Sequence, residues 1–418
     1  MEVFEEIKTG FKKTKIGWIP DDWETQPLGS IINHTKGFAF KSNEYCKSGT
    51  RVIRVSDTNA NSIKNDNPIY VNNELNKYGK WKMLENDLVF STVGSRPPMY
   101  DSMVGKVIRI KKEYEGALLN QNAVILRTIV KKIHPIYLFN LFKRKDYLNY
   151  IETIFRGNAN QVSITLKDLF KYIIPIPPFQ EQHKIATILF NWDIGIDNTQ
   201  KLIELLKLRK IGLMQQLLTG KKRLDGFNKE WNEEKLGDHF TERKETKVEN
   251  LELLSIGKNG VYPQNNSVKK DISNSNKSKY KRICIGDIGY NTMRMWQGRS
   301  ALSNLEGIVS PAYTIVTPKD NADSNFFSYL FKLNEMIHKF YRNSQGMVSD
   351  TWMCKFKDFS IIKFQAPPTK EEQIAIANVL IAADKEIANY KKYLEQLQSQ
   401  KKGLMQQLLT GKIRVKVN

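Results

Sequence analysis

Five histidines, His34, His134, His183, His239 and His338, are the first residues to test for chemistry, because general bases and metal ligands so often use that side chain. They lie far apart and form no His-x3-His or His-Glu-x-x-His spacing, so they read as structural or exposed groups. Glu242 and Glu245 with Lys247 have the residue types of a metal-assisted nuclease. No strand pair flanks them, and the stretch reads as a solvated charge run. Three cysteines, Cys46, Cys284 and Cys354, are widely spaced with no Cys-x-x-Cys, which fits a reducing interior and points to neither a disulfide framework nor a zinc site. The pattern GxxxxGK[ST] is absent, and Thr219-Gly220-Lys221-Lys222 lacks the earlier glycine such a phosphate loop requires. Neither GxGxxG nor the Asn- or Asp-Pro-Pro-aromatic run of amino-methyltransferases occurs, and Arg96-Pro97-Pro98-Met99 does not fit the latter.

What remains is the chemistry of recognition. The 418 residues carry a formal charge of +21, spread along the chain, which favours a polyanionic partner, most often nucleic acid. A lysine-rich proteome would account for part of that excess. Arginine takes guanine bidentately, and asparagine or glutamine takes adenine. Polar and basic residues in loops between strands are therefore the contact candidates. In the first half these are Lys36, Lys41, Arg54, Thr92, Ser95, Arg96, Asn120, Gln121 and Asn158; in the second, Lys258, Asn259, Arg294, Arg299, Ser310, Arg342 and Gln345. There is no apolar leader at Met1-Glu2-Val3-Phe4 and no run of 18 apolar residues, so no membrane segment is expected.

The elements that must position these residues follow from a repeat. Residues 212–221 and 403–412 both read G-L-M-Q-Q-L-L-T-G-K. Upstream, Gln182, Ile185, Ala186, Leu189, Asp193 and Ile196 align with Gln373, Ile376, Ala377, Leu380, Asp384 and Ile387. A seam with alternating steps of four and three runs from Ile185 to Leu217 and again from Ile376 to Leu408, with Lys210 and Lys401 at equivalent seam positions. This is a coiled-coil signal, and each copy is the other's natural antiparallel partner. Pro177-Pro178 and Pro367-Pro368 precede the runs, Thr369 and Glu372 form a capping box, and Gly220 and Gly411 stand where helices end. Each helix is predicted to hold about 38 residues, roughly 57 Å. Gly212 and Gly403 are mid-helix glycines, which suggests a close approach or a bend. With Met214, Leu218, Met405 and Leu409, off the seam, they are candidates for docking the neighbouring globule or a partner subunit.

Trp-x4-Leu-Gly opens each half, at Trp23 to Gly29 and Trp231 to Gly237. Asp87-Leu88-Val89-Phe90-Ser91-Thr92 lines up with Asp287-Ile288-Gly289-Tyr290-Asn291-Thr292, and Ala123–Leu126 with Tyr313–Val316, as short strands; helices are expected near 135–155 and 324–342. The expected class is α+β: two α/β globules, unlike in sequence, joined by two long antiparallel coiled-coil helices in an internal two-fold repeat. The expected segments are an arm, helical in its first part, at 1–24, a recognition globule at 25–178, a spacer helix at 179–220, a second globule at 221–367, and a second spacer helix with tail at 368–418.

These features together make the chain resemble the specificity subunit of type I restriction-modification systems over essentially its whole length. The resemblance rests on Thr14-Lys15-Ile16-Gly17-Trp18-Ile19-Pro20 with Trp23, the Pro-Pro and Gln-Glu-Gln entry at 177–182, and the Gly-Leu-Met-Gln-Gln-Leu-Leu-Thr-Gly-Lys tail in both halves. The second half departs from it, with Gly226-Phe227-Asn228-Lys229-Glu230-Trp231 in place of the longer opening and a proline entry one residue out of step. It implies a non-catalytic, cytoplasmic, prokaryotic subunit whose two target-recognition domains read the halves of a split, asymmetric double-stranded DNA sequence. It implies partners too: two methyltransferase subunits using S-adenosylmethionine, and restriction subunits that translocate and cut with ATP and Mg, this chain binding no cofactor. Half-sites about one helical turn apart, 34–36 Å, suit rods of this length. A coiled-coil scaffold binding only proteins, or a nuclease domain without a visible motif, are the competing readings.

Overall fold

The computed structural model describes residues 9–59, 62–72, 77–97, 99–157, 161–257, 260–266, 276–346 and 352–417. It divides into two compact units, Met1–Asn198 with Leu394–Asn418, and Thr199–Tyr393.

The first unit is built on a four-stranded antiparallel sheet in the order Val107–Arg109, Leu88–Ser91, Ala123–Thr128, Ile32–Lys36. The alternation of a strand puts Leu88, Phe90, Val124 and Leu126 into one core, with Tyr137, Leu138, Tyr147 and Ile151 of the helices Pro135–Leu141 and Lys145–Ile154. The intervening Val89, Ala123 and Ile125 enter another, with Ile53, Met83 and Leu119. Both faces are covered, which is why Leu88–Ser91 is buried throughout. The arm expected to be helical instead forms a hairpin from residue 11, Phe11–Thr14 against Gly17–Pro20, turned by Gly17 at φ +100°. Residues 1–8 lie outside the described residues.

Two lysines of this unit are held against backbone carbonyls. Lys106 Nζ donates to the carbonyls of Thr58 at 2.9 Å and Asp101 at 2.6 Å, and Lys143 Nζ donates to that of Val107 at 3.0 Å. Burial pushes each ammonium down to about 8. The unfolded chain therefore binds more protons than the folded one from about pH 8 to the ordinary lysine value near 10.4, and stability rises with pH across that window. Denaturant titrations of the chain at pH 7.5 and 9.5 are expected to differ by on the order of 1 kcal/mol in favour of the higher pH. The gain should be absent from the double variant Lys106→Met, Lys143→Met.

The second unit repeats the sheet with different residues, in the order Phe240–Glu242, Tyr313–Pro318, Ile288–Asn291, Ser300–Leu302. Ile288, Tyr290 and Val316 face Phe326, Phe327, Phe331 and Phe340 of the helices Ser324–Leu330 and Asn334–Arg342. Gly289 faces the other way, where a Cβ would stand 2.3 Å from Ile256 Cδ1, so a larger residue would have to displace the end of that side chain. The buried acids Asp87 and Asp287 anchor the two central strands through paired bonds from Arg127, at 2.8 and 2.6 Å, and Arg243, at 2.7 and 3.1 Å.

The long helices are Phe179–Leu217 and Lys370–Leu408, 39 residues each. Each ends in a left-handed glycine, Gly220 at φ +70° and Gly411 at φ +68°. Each unit takes the start of one helix and the end of the other, antiparallel. In the first unit Ile185, Ala186 and Leu189 share a core with Leu404, Leu408 and Leu409, and Asp193 accepts from Lys401 at 2.6 Å. In the second, Ile376, Ala377 and Leu380 pack with Leu213, Leu217 and Leu218, and Asp384 accepts from Lys210 at 2.6 Å. The seam lysines thus meet the aspartates that the repeat aligns.

The helix ends are locked by a socket that sequence reasoning missed. Buried Glu181 accepts Trp23 Nε1–H at 3.1 Å and two bonds from Arg414, both at 2.8 Å. Buried Glu372 accepts Trp231 Nε1–H at 3.2 Å and two bonds from Arg223, at 2.7 and 2.8 Å. The signal was present, since the repeated run continues as Gly-Lys-x-Arg in both copies. Leu218 and Leu409 are buried in the cores of their own units, with Met214 and Met405 against them. Nothing lies within 4 Å of a Cβ placed on Gly212 or Gly403, so no other segment of this chain approaches either glycine closely.

Candidate nucleic-acid interface

In the first unit the loops converge where strand Leu88–Ser91 ends. The Thr92 N–H and hydroxyl both donate to the carbonyl of Asn122, at 3.0 and 2.9 Å, and its own carbonyl accepts the Ile164 N–H at 2.9 Å. Asn122 turns the chain there at φ +68°. Gly37, just after Lys36, donates to the carbonyl of Ala123, and a Cβ on it would lie 1.8 Å from the Asn120 carbonyl oxygen. Gln121 N–H donates to the carbonyl of Phe38 at 2.9 Å. Lys36, Thr92, Ser95 and Gln121 are thereby brought to one end of the sheet, with Lys36 and Gln121 exposed.

Ser95 joins Ser102, hydroxyl to hydroxyl at 2.9 Å, and closes a loop whose base is glycine because a Cβ on Gly94 would meet the Ser102 carbonyl at 2.4 Å. Arg96 leaves that loop to donate to the Gly157 carbonyl at 3.0 Å, its guanidinium 5.7 Å from the Phe155 ring centre. Lys41 is exposed, before the turn Ser42–Glu44.

Two candidates serve the fold instead. Arg54 makes paired bonds to buried Asp57, the closest at 2.7 Å, and donates to the Asn67 carbonyl at 3.0 Å. Asn120 is buried, its amide donating to the Tyr45 hydroxyl at 3.3 Å and its oxygen accepting the Gln121 N–H at 2.7 Å. A polar side chain in a loop looks the same in sequence whether it faces solvent or a protein partner, and their hydrogen bonds set these two apart. Asn158, Lys258 and Asn259 lie outside the described residues.

The second unit repeats the junction at Thr292. Its N–H donates to the Ala312 carbonyl at 3.0 Å, its carbonyl accepts from Cys354 at 2.9 Å, and its hydroxyl meets that of Thr314 at 2.8 Å. Arg294 and Arg299 flank the turn Met295–Gln297, and their backbones bond to Asn291. Ser310 holds Tyr313 through its carbonyl at 3.1 Å, and Gln345 pairs with Met353. Arg342 is exposed in the last turn of its helix. Arg294, Arg299 and Ser310 are gathered here; Arg342 and Gln345 enter through the segment that carries Cys354.

Among the described residues no group of His, Cys, Asp or Glu could hold a metal ion, and no helix is long and apolar enough to cross a membrane. Each unit offers a cationic, polar rim at one end of its sheet.

Residues 20–208 and 228–399 match the family described as the type I restriction modification DNA specificity domain. The chain belongs to that family, whose members are the specificity subunits of type I restriction-modification systems, components that recognise DNA and carry no catalysis. It is similar to the putative type I restriction enzyme MjaX specificity subunit of Methanocaldococcus jannaschii, 30% identical over 97% of each chain. The MjaVIII specificity subunit of the same organism is 26% identical, covering 95% of this chain and 94% of that one. In fold it resembles the crystal structure of the type I restriction-modification S subunit from M. genitalium, with a TM-score of 0.57 and 15% identity over 97% of this chain and 98% of that one.

Proposed function

We propose that this specificity subunit reads a bipartite, asymmetric DNA target, one half-site with each globule. In the complete assembly it recruits two methyltransferase subunits together with restriction and translocase subunits, S-adenosylmethionine, ATP and Mg being bound by those partners. The observation that carries the reading is the pair of sheets with one strand order and one threonine junction but unlike rim residues: Lys36, Gln121 and Arg96 against Arg294, Arg299 and Ser310. A shared scaffold with different rims suits two different half-sites. The two sockets, each a tryptophan, a glutamate and an arginine, support two equivalent places for a partner of one kind.

The test is the methylated motif in cells expressing the chain with its methyltransferase. Arg96→Ala is expected to relax or weaken one half of that motif and Arg294→Ala the other, each lowering affinity by about 1–3 kcal/mol if the side chain takes a base. An unchanged motif and unchanged affinity in both variants would remove these residues from the reading. Salt-independent failure of the assembled complex to bind any duplex would instead favour the protein-only scaffold.

A further inference from the structure

The rim of each globule carries exposed apolar groups that neither the fold nor hydrogen bonding to bases explains. In the first unit they stand on the loop between strands Leu88–Ser91 and Val107–Arg109, where Met99 is 62% and Tyr100 51% exposed. In the second unit the corresponding loop lies between Ile288–Asn291 and Ser300–Leu302, strands neighbouring in the same order, and there Met293 is 40% exposed. The sequences of the two loops are unrelated, yet both set a methionine and an aromatic ring beside arginine.

The second loop shows how such a tip is built. The turn Met295–Gln297 ends at Gly298, left-handed at φ +71°, whose missing Cβ lets the turn lie on Ile337 of helix Asn334–Arg342. Trp296 then reaches Tyr341 of that helix, ring centres 6.5 Å apart, and Trp352, at 5.5 Å; Tyr341 and Trp352 are 5.0 Å apart. All three are edge-on, and Tyr341 keeps 42% of its surface exposed. The trio packs together as one apolar knob. Arg299 and Arg342 stand exposed beside it. A cationic border selects a polyanion, and the apolar centre requires one with flat or methylated faces to cover it; duplex DNA has both.

We propose that this loop in each globule enters a groove of the DNA, with Met99 and Tyr100, or Met293 and the Trp296–Tyr341–Trp352 knob, resting on sugar and base faces while Arg299 and Arg342, beside the knob, lie on phosphates. The inference rests on the DNA-reading function and adds a salt-independent share of the binding energy, since apolar contact releases no counterions. The probe is a duplex carrying the mapped motif, bound by the chain assembled with its methyltransferase over a range of salt. Met99→Ser with Tyr100→Ser, and separately Met293→Ser with Tyr341→Ser, should each weaken binding roughly tenfold or more without changing the salt slope. Arg299→Ala with Arg342→Ala should instead make the slope shallower, by about 1 for each phosphate left without its arginine. Trp296→Phe keeps the knob packed and should bind nearly as wild type, but remove the part of the tryptophan quenching on DNA addition that Trp296 supplies. Wild-type affinity in both serine variants, each with an unshifted melting temperature, overturns the proposal while leaving the DNA reading intact; a wild-type complex that binds no duplex overturns both.

Discussion

A chain ending after Asp225 is expected to form a symmetric dimer that directs methylation to a palindrome built from the first half-site. The first unit is completed by residues of the second long helix: Leu404, Leu408 and Leu409 enter its core, Lys401 meets Asp193, and Arg414 meets Glu181. A truncated chain lacks all of these. It does, however, end in Lys210, Leu213, Leu217, Leu218 and Arg223, the same residue types at the same spacing, which in the full chain fill the equivalent socket of the second unit. A second copy can therefore supply the missing helix end, and the exchange is reciprocal, so the product has a two-fold axis. Two identical globules related by that axis read identical half-sites in opposite orientation. Trp192 aligns with Ala383, so the dimer carries a larger residue at one seam position and is expected to be weaker than the natural pairing. Sedimentation of the fragment gives the stoichiometry, and sequencing of methylated DNA from cells that also express the methyltransferase gives the motif. A monomer, or a dimer that modifies only asymmetric sites, would show that the two helix ends are not interchangeable.

Glu181→Ala is expected to be among the most damaging single substitutions in the first unit, and Glu372→Ala its counterpart in the second. Each removes the acceptor for one tryptophan N–H and for a two-bond arginine contact at a buried site. The indole N–H and the partly exposed guanidinium are then left without their buried acceptor, which costs about 1–3 kcal/mol. Arg414 retains Asp22 at 2.7 Å and Arg223 the Lys229 carbonyl at 2.7 Å; only Asp22 is an acid, so the first unit should lose somewhat less than the second. Denaturant unfolding followed by tryptophan fluorescence measures both. A loss under about 1 kcal/mol in either variant would mean that the socket is held by its apolar contacts alone.

The long helices and the two-globule plan were legible because they rest on periodicity and on a literal repeat. The seam frame, the capping Thr369, the terminating glycines and the paired strands at 88–91 and 288–291 are local patterns, and local patterns survive in sequence. The hairpin at 11–20 was misread because short polar strands carry no alternation strong enough to oppose a helical reading. The bonds that Arg54 and Asn120 make within the fold were illegible for a different reason: their partners, Asp57 with Asn67 and Tyr45, are set by three-dimensional closure. The socket joins residues as distant as Trp23, Glu181 and Arg414, and no spacing rule links them, though the repetition of each in the other half was visible. The apolar tips escaped because an exposed methionine or tyrosine is ordinary until its neighbours are known.

The meeting of the stretch around Pro20 with the stretch around Gly411 bears on how such proteins diversify. A Cβ on Gly411 would stand 2.3 Å from Pro20 Cγ, and Arg414 binds Asp22, much as Gly220 lies against Trp231 where the peptide chain runs on without a break. One junction is covalent and the other is only packed, yet both are built from the same parts. The order of the halves along the gene is therefore a matter of history, and a permuted gene opened between residues 223 and 231 would encode the same set of contacts. Where the codons of the ten repeated residues also agree, they give homologous recombination a matching tract at each junction, and a crossover there stays in frame and replaces one globule with another.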